Sequence, residues 1–354
     1  MQTGFSPDFH HILFAARNQR PSRLPIYEHN IAVSKMEEVT GRKFAAMHGG
    51  GYRDKVEYFT RYSAFFRDTG YDTVTFEACV TEVVQRGECL SGHVPGIILN
   101  RADFSAFDFA GVEHEFWKTF YDDFRALRES MPAGMKGIGG IGNGVFEIVQ
   151  DLTGFAALCM LRVDDPPLYA DLFRAVGDLM YSIWRRFLAE FGDLFAVCRF
   201  GDDLGFKSST LLVPEDIREL VIPQYRRIVD LVHAAGTPFL LHCCGNIFTI
   251  MENIITGACI DAKHSNEDQI APFPVWVERY GKMIGLFGGV DMNALCTLPE
   301  AEIKRYTLDV ILKSSAQAGL AVGSGNSIPD YVPAPGYLAM VNAVREYRGD
   351  FKGT

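Results

Sequence analysis

The sequence of 354 residues predicts an α/β protein of the (β/α)8 TIM-barrel class with an extra N-terminal helical segment. Three observations carry that expectation. Short apolar runs alternate with amphipathic helical stretches along most of the chain, which implies a parallel sheet. About eight such units at this length suit a closed barrel better than an open sheet. Polar residues gather at the ends of the apolar runs, where barrels of this class keep their chemistry.

The elements follow in order. Residues 1–66 carry helical signals in NIAVSKMEEVTGR and KVEYFTRYSAFFRDTG, and are expected to pack on a single-domain barrel formed by 67–354. Early strands are read in YDTVTFEAC (71–79) and MKGIGGIGNGVFEIV (135–149), and 166–192 reads as a long amphipathic helix. A strand from Leu194 to Phe200 ends in Gly201, Asp202 and Asp203. The next helix opens on Pro214, Glu215 and Asp216 and closes on Gly236, and Pro223 should kink it. PFLLHCCGN is a strand ending in His242, Cys243 and Cys244. After a helix in IMENIITGA, the strand CIDAKHS ends at His264 and Ser265. VWVERYGK is helical, and MIGLFGGVD is a strand ending at Asp291. A helix begins at Pro299 and Glu300, LAVGSGNSIP is the last strand, and PGYLAMVNAVREYR is the terminal helix. The glycines of GIGGIGNG (137–144) superficially resemble a dinucleotide loop, but no ribose-binding acid follows at the required distance.

Composition narrows the function classes. The formal net charge of −10 leaves no basic excess for phosphates, which argues against nucleic acid as a partner. No apolar stretch is long enough to span a membrane, and MQTGFSPDFHHILFAARNQRPSRLP has no signal-peptide pattern, so a cytoplasmic protein is expected. The eight cysteines, at 79, 89, 159, 198, 243, 244, 259 and 296, are expected to be reduced thiols.

The strand end HCCGN is the most informative stretch. Residues two apart on an extended strand face the same side, so His242 and Cys244 converge while Cys243 points away. A ring nitrogen beside a sulfur suits zinc. The competing explanation is a buried cysteine beside a hydrogen-bonded histidine, because a lone His-x-Cys is a weaker signal than paired Cys-x-x-Cys.

HCCGN, followed in order by IDAKHS, LFGGVD, GSGNSIP and the YLAMVNAVREY helix, resembles the uroporphyrinogen decarboxylase superfamily. It is most similar to the corrinoid-dependent methyltransferase branch, whose hallmark is His-x-Cys-Gly-Asn. The likeness is best from Asp193 to Arg348. It implies a (β/α)8 barrel. The Arg-rich N-terminal signature of the decarboxylases proper is missing, since SRLPIYEHN stands there. The resemblance implies zinc on His242 and Cys244, with a third cysteine in the last strand's loop, where this chain has Ser324. Glu147, Asp202, Asp203 and Asp291 are the carboxylates that could replace it, and Glu147 is taken with His242 and Cys244 as the expected metal set.

The activity implied is transfer of a methyl group between a small methylated compound and the cobalt of a corrinoid. No DxHxxG-type pattern occurs in the chain, which places the corrinoid on a partner protein. An oxygen ligand in place of a cysteine makes a harder site and favours an oxygen donor such as an aryl methyl ether. Asp202, Asp203, His264 and Asp291 are the expected catalytic residues, and Asn246, Ser324 and Asn326 are expected to contact the cofactor. Glu28 and His29 are outside candidates, and Tyr27, Phe146, Phe206 and Tyr331 are expected to line an apolar pocket. Two other readings are a metal-free decarboxylase-like enzyme acting on a carboxylated compound, and a non-catalytic barrel that binds a tetrapyrrole.

Overall fold

The computed structural model describes residues 5–84 and 96–351. The fold is TIM-barrel-like, as the alternation of elements predicts, but among the described residues its sheet has seven strands where eight were expected. In chain order they are β1 (Thr73–Cys79), β2 (Lys136–Gly142), β3 (Phe195–Gly201), β4 (Phe239–His242), β5 (Ala262–His264), β6 (Gly285–Val290) and β7 (Leu320–Ser324). Each pairs in parallel with the next. The sheet curls around a small apolar cluster of Ile138, Val197, Leu240, Ala262, Phe287 and Ala321, taken from successive strands. The helix His10–Ala16 adds Ile12, Ala15 and Ala16 to this cluster and so plugs one end of it. A second, much larger core lies between the sheet and the surrounding helices.

An N-terminal strap stands where the eighth strand was expected. Ile26 bridges Val322 in parallel, Tyr27 N donates to Val322 O at 3.1 Å, and Val322 N donates to Pro25 O at 3.0 Å. On the other side, Thr75 Oγ1 of β1 donates to Glu28 O at 2.8 Å. The strap therefore lies between the two edges of the sheet, pairing by backbone with β7 and held by a side-chain bond from β1. Gly323 makes this close approach possible, because a Cβ there would sit 1.7 Å from Tyr27 O.

One strand reading is corrected, and three helices are added. The strand expected over 135–149 stops at Gly142, and a helix runs from Val145 to Thr153. Its apolar, β-branched run suited either element by periodicity. The contact that settles it is distant in sequence: Asp202 accepts the Phe146 and Glu147 backbone N–H groups at 2.9 and 2.8 Å, as a helix N-terminus requires. The glycines of 137–142 lie in β2 rather than in a phosphate loop. Helices Arg101–Ala106, Phe109–Ser130 and Phe155–Asp164 were not singled out in the sequence. Near Pro223, where a kink was expected, a π turn, Ile217–Val221, ends two residues before the proline. Proline has no N–H for the ladder, and the wider turn absorbs the missing bond. The seven cysteines among the described residues are free thiols, and Cys89 lies outside those residues. Among the described residues no helix is long and apolar enough to cross a membrane.

The strap yields a stability test. Gly323→Ala should cost about 3 kcal/mol or more in urea unfolding, because the clash is with backbone rather than a flexible side chain. Wild-type stability in that variant would mean that the strap is not seated against β7.

Candidate metal centre

The strand period raises the site from the apolar layer. Two residues beyond Val197, Leu240 and Ala262 come Arg199, His242 and His264, all buried and on the same face as that layer. His242 Nδ1 lies 2.8 Å from His264 Nδ1, and His264 Nε2 lies 3.1 Å from the Ser324 carbonyl oxygen. A carbonyl can only accept, so His264 Nε2 carries a hydrogen and His264 Nδ1 is the acceptor. His242 Nδ1 then donates, which leaves the lone pair of His242 on Nε2. Burial holds both rings neutral: it pushes His264 down to about 3 and His242 well below the usual histidine value, with the neighbouring charges acting in the same direction on His242.

That free nitrogen faces a sulfur and a carboxylate. His242 Nε2 is 3.3 Å from Cys244 Sγ and 3.8 Å from Asp203 Oδ1. The donor atoms of Asp203, His242 and Cys244 all lie within 4.8 Å of one another. Ligand atoms sharing one zinc at ordinary bond lengths stand about 3.5 Å apart, so this donor set fits the ion. The Cys244 thiol is raised well above its usual value by burial and by the Asp203 charge, so binding a metal there would release its proton. His29, His242 and His264 also approach one another within 4.8 Å. They suit an ion less well. His29 stacks on His242 with centroids 3.6 Å apart and planes 16° apart, so their in-plane lone pairs do not converge. His29 Nδ1 is moreover engaged by Arg199.

The expected site residues separate into those that meet here and those that do not. Asp203, expected as catalytic, joins the donor group and also accepts Cys244 N at 2.8 Å. Glu147, expected as the third ligand, is outside the group. Its carboxylate accepts Asn143 Nδ2 at 2.9 Å and Asp203 N at 3.2 Å, so it braces the loop that presents Asp203. Burial, Asp202 and Asp203 push the Glu147 carboxyl well up. Asp202 caps the helix Val145–Thr153 and is hydrogen-bonded by the Tyr225 hydroxyl, which leaves it no free face for substrate. His264, expected to meet substrate, instead orients His242. Asp291 caps Met292–Thr297 through Asn293 N at 2.8 Å and accepts Asp268 N at 2.9 Å. Ser324 turns its hydroxyl to Glu28 rather than to the donors. Asn246 ties the loop after β4 to the one after β3, its backbone N–H donating to Phe206 O at 2.7 Å. Asn326 does reach the centre, donating from Nδ2 to Cys244 Sγ at 3.3 Å.

Asn326 also lines a cavity of about 490 Å3 beside the centre, together with Asp291, Tyr306 and Tyr331. Its walls are more charged than the apolar pocket expected: Glu267, Asp268 and Asp291 stand there with Lys207. Tyr27 and Phe146 are core residues, and Phe206 is exposed.

The sequence model of the uroporphyrinogen decarboxylase (URO-D) family matches residues 84–347. The chain belongs to this family. A solved methyltransferase from Methanosarcina mazei has the same fold, with a TM-score of 0.70 at 16% identity over 95% of this chain and 98% of that one. Weaker likenesses include a glycoside hydrolase family 5 enzyme from Prevotella bryantii B14 (TM-score 0.45, 12% identity, 94% and 97% covered). Endo-glycoceramidase II from Rhodococcus sp. is another (TM-score 0.46, 12% identity, 93% and 80% covered). No curated protein matches the chain.

Two residues around the centre, Arg199 and Ser265, were given no role by the sequence reading of this URO-D family chain. Arg199 is fully buried, donates to Glu77 Oε2 at 2.8 Å and to His29 O at 2.8 Å, and stands on an otherwise apolar strand. That isolated charge was a legible signal, since a buried cation needs a partner. Ser265 Oγ, at 3.3 Å from Cys244 Sγ, had no comparable mark.

Glu28 supplies a pH test. Burial raises its carboxyl to about 8, against the lowering effect of its bonds from Ser324. The folded state then holds a proton that the unfolded state releases between about 4.5 and 8, so this stability is complete at acid pH and is lost as pH rises through 8. Wild-type urea stability should fall by a few kcal/mol relative to Glu28→Gln between pH 5 and pH 8.5. Parallel pH profiles for the two proteins would refute a neutral buried Glu28.

Proposed function

We propose that the protein is a zinc-dependent methyltransferase. It moves a methyl group between a small donor, an aryl methyl ether, and the cobalt of a corrinoid carried by a partner protein. The observation that carries this reading is the convergence of Asp203, His242 and Cys244 at the C-terminal ends of β3 and β4 in a URO-D family barrel. The Methanosarcina mazei neighbour, a methyltransferase by description, supports the reading through its shared fold.

Each residue then has a part. Asp203, His242 and Cys244 would hold the ion, and His264 keeps the His242 Nε2 lone pair directed at it. When bound, zinc supplies Lewis-acid polarisation of the donor's heteroatom, so that a poor leaving group can depart. Glu147 fixes the Asp203 loop, and Arg199 with Glu77 steadies His29 against the other face of His242. Asn326 links the centre to the adjoining cavity, which would admit the donor. A carboxylated substrate is disfavoured there. It would meet Glu267, Asp268 and Asp291 with only Lys207 of opposite sign among the charged lining residues.

Metal content is the decisive measurement. The purified wild type should carry about one zinc per chain, lost in Asp203→Ala and Cys244→Ala but retained in Glu147→Gln. With cob(I)alamin, the zinc-loaded protein should form methylcobalamin from a methoxylated aromatic. A wild type that holds no metal and refuses added zinc would remove the proposal.

A further inference from the structure

Two hydrogen bonds reach Cys244 Sγ in addition to its contact with His242. Ser265 Oγ donates at 3.3 Å from the end of β5, and Asn326 Nδ2 donates at 3.3 Å from the end of β7. The sulfur is thus gripped by two strands other than its own.

Ser265 pays for this contact with its backbone. Its φ is +94°, in the left-handed region where residues other than glycine are uncommon. A chain that merely had to turn would place glycine there, as it does at Gly245, Gly288 and Gly289 with φ of 82°, 108° and 119°. The surroundings hold the serine in place. Lys263 Nζ hydrogen-bonds the Ser265 carbonyl, and Asn266 N donates to Gly325 O at 2.9 Å. Ser265 is only 4% exposed, so little water competes for its hydroxyl. A strained backbone kept rigid around a buried hydroxyl points to work done by that hydroxyl, and its partner is the sulfur.

We infer that Ser265 and Asn326 are positioning residues that act on the metal through Cys244, drawing charge off its sulfur and leaving the bound ion a stronger Lewis acid. The inference rests on the metal-dependent reading above. A thiolate carries its charge in the lone pairs it shares with the ion, and donors that bind those lone pairs reduce what the ion receives. The carboxylate of Asp203, a harder ligand than thiolate, works in the same direction. Asn326 also borders the 490 Å3 cavity, so the amide that holds the sulfur lies where a donor would be polarised.

Cobalt(II) in place of zinc makes the effect visible, because a bound thiolate gives a sulfur-to-metal charge-transfer band. Stabilised sulfur lone pairs place that band at higher energy. Ser265→Gly and Asn326→Leu should each move it to longer wavelength, the double variant further. Ser265→Gly should melt no lower than wild type, since glycine takes this φ without strain. A purely structural serine would instead lower stability and leave the band in place. Should Ser265→Gly fail to fold, Asn326→Leu carries the test alone. A wild type without any charge-transfer band would end the metal-dependent reading and the inference with it. A wild-type band that stays put, or moves to shorter wavelength, in the variants overturns the inference alone.

Discussion

The Ser324 carbonyl sets the protonation pattern of two histidines and, through them, the nitrogen that His242 offers to the site. Because that oxygen accepts from His264 Nε2, the hydrogen of each ring is assigned in turn, and His242 Nε2 is left with its lone pair. Ser324 is itself held by the N-terminal strap. Its N–H donates to Glu28 Oε1 at 2.9 Å, and its hydroxyl meets the other oxygen of the same carboxyl. Gly323 lets the strap come close enough for those bonds to form. The chemistry at the end of β4 therefore depends on a segment more than two hundred residues earlier in the chain.

Charge in the barrel is confined by the same economy. Arg199 is paired with Glu77, and burial keeps His29, His242 and His264 neutral, with the guanidinium acting in the same direction. Two anionic donors remain at the rim, the Asp203 carboxylate and the thiolate that Cys244 becomes on giving up its proton. Together with a neutral imidazole, they would balance a divalent ion without further charge from the protein. Glu147 and Asp202, which the sequence suggested as ligand or catalyst, serve instead to build the loop and helix around Asp203.

The period of the strands made the middle of the site legible. Alternation along PFLLHCC put His242 and Cys244 on one side, and Cys243 is indeed in the outer core. The five later strands all lie within the stretches read from the sequence. What stayed hidden depended on pairings across the fold. Four carboxylates near strand ends looked equivalent as a third ligand, and only the turn after β3 brings Asp203 to His242 while holding Asp202 against a helix N-terminus. The strap was hidden for a similar reason: a short extended segment with no alternating pattern does not announce which edge it will cover.

By itself, the sequence determined the repeating strand–helix order, the family likeness and the shared strand face of His242 and Cys244. These follow from local periodicity and from residues two apart on one strand. The tertiary structure decided the seven-stranded sheet of the described residues with its inserted strap, the approach of Asp203 to His242, the tautomers of His242 and His264, and the donors on Cys244 Sγ. Each of those rests on a hydrogen bond or contact between distant segments, and its energy depends on a few tenths of an ångström that no local pattern encodes.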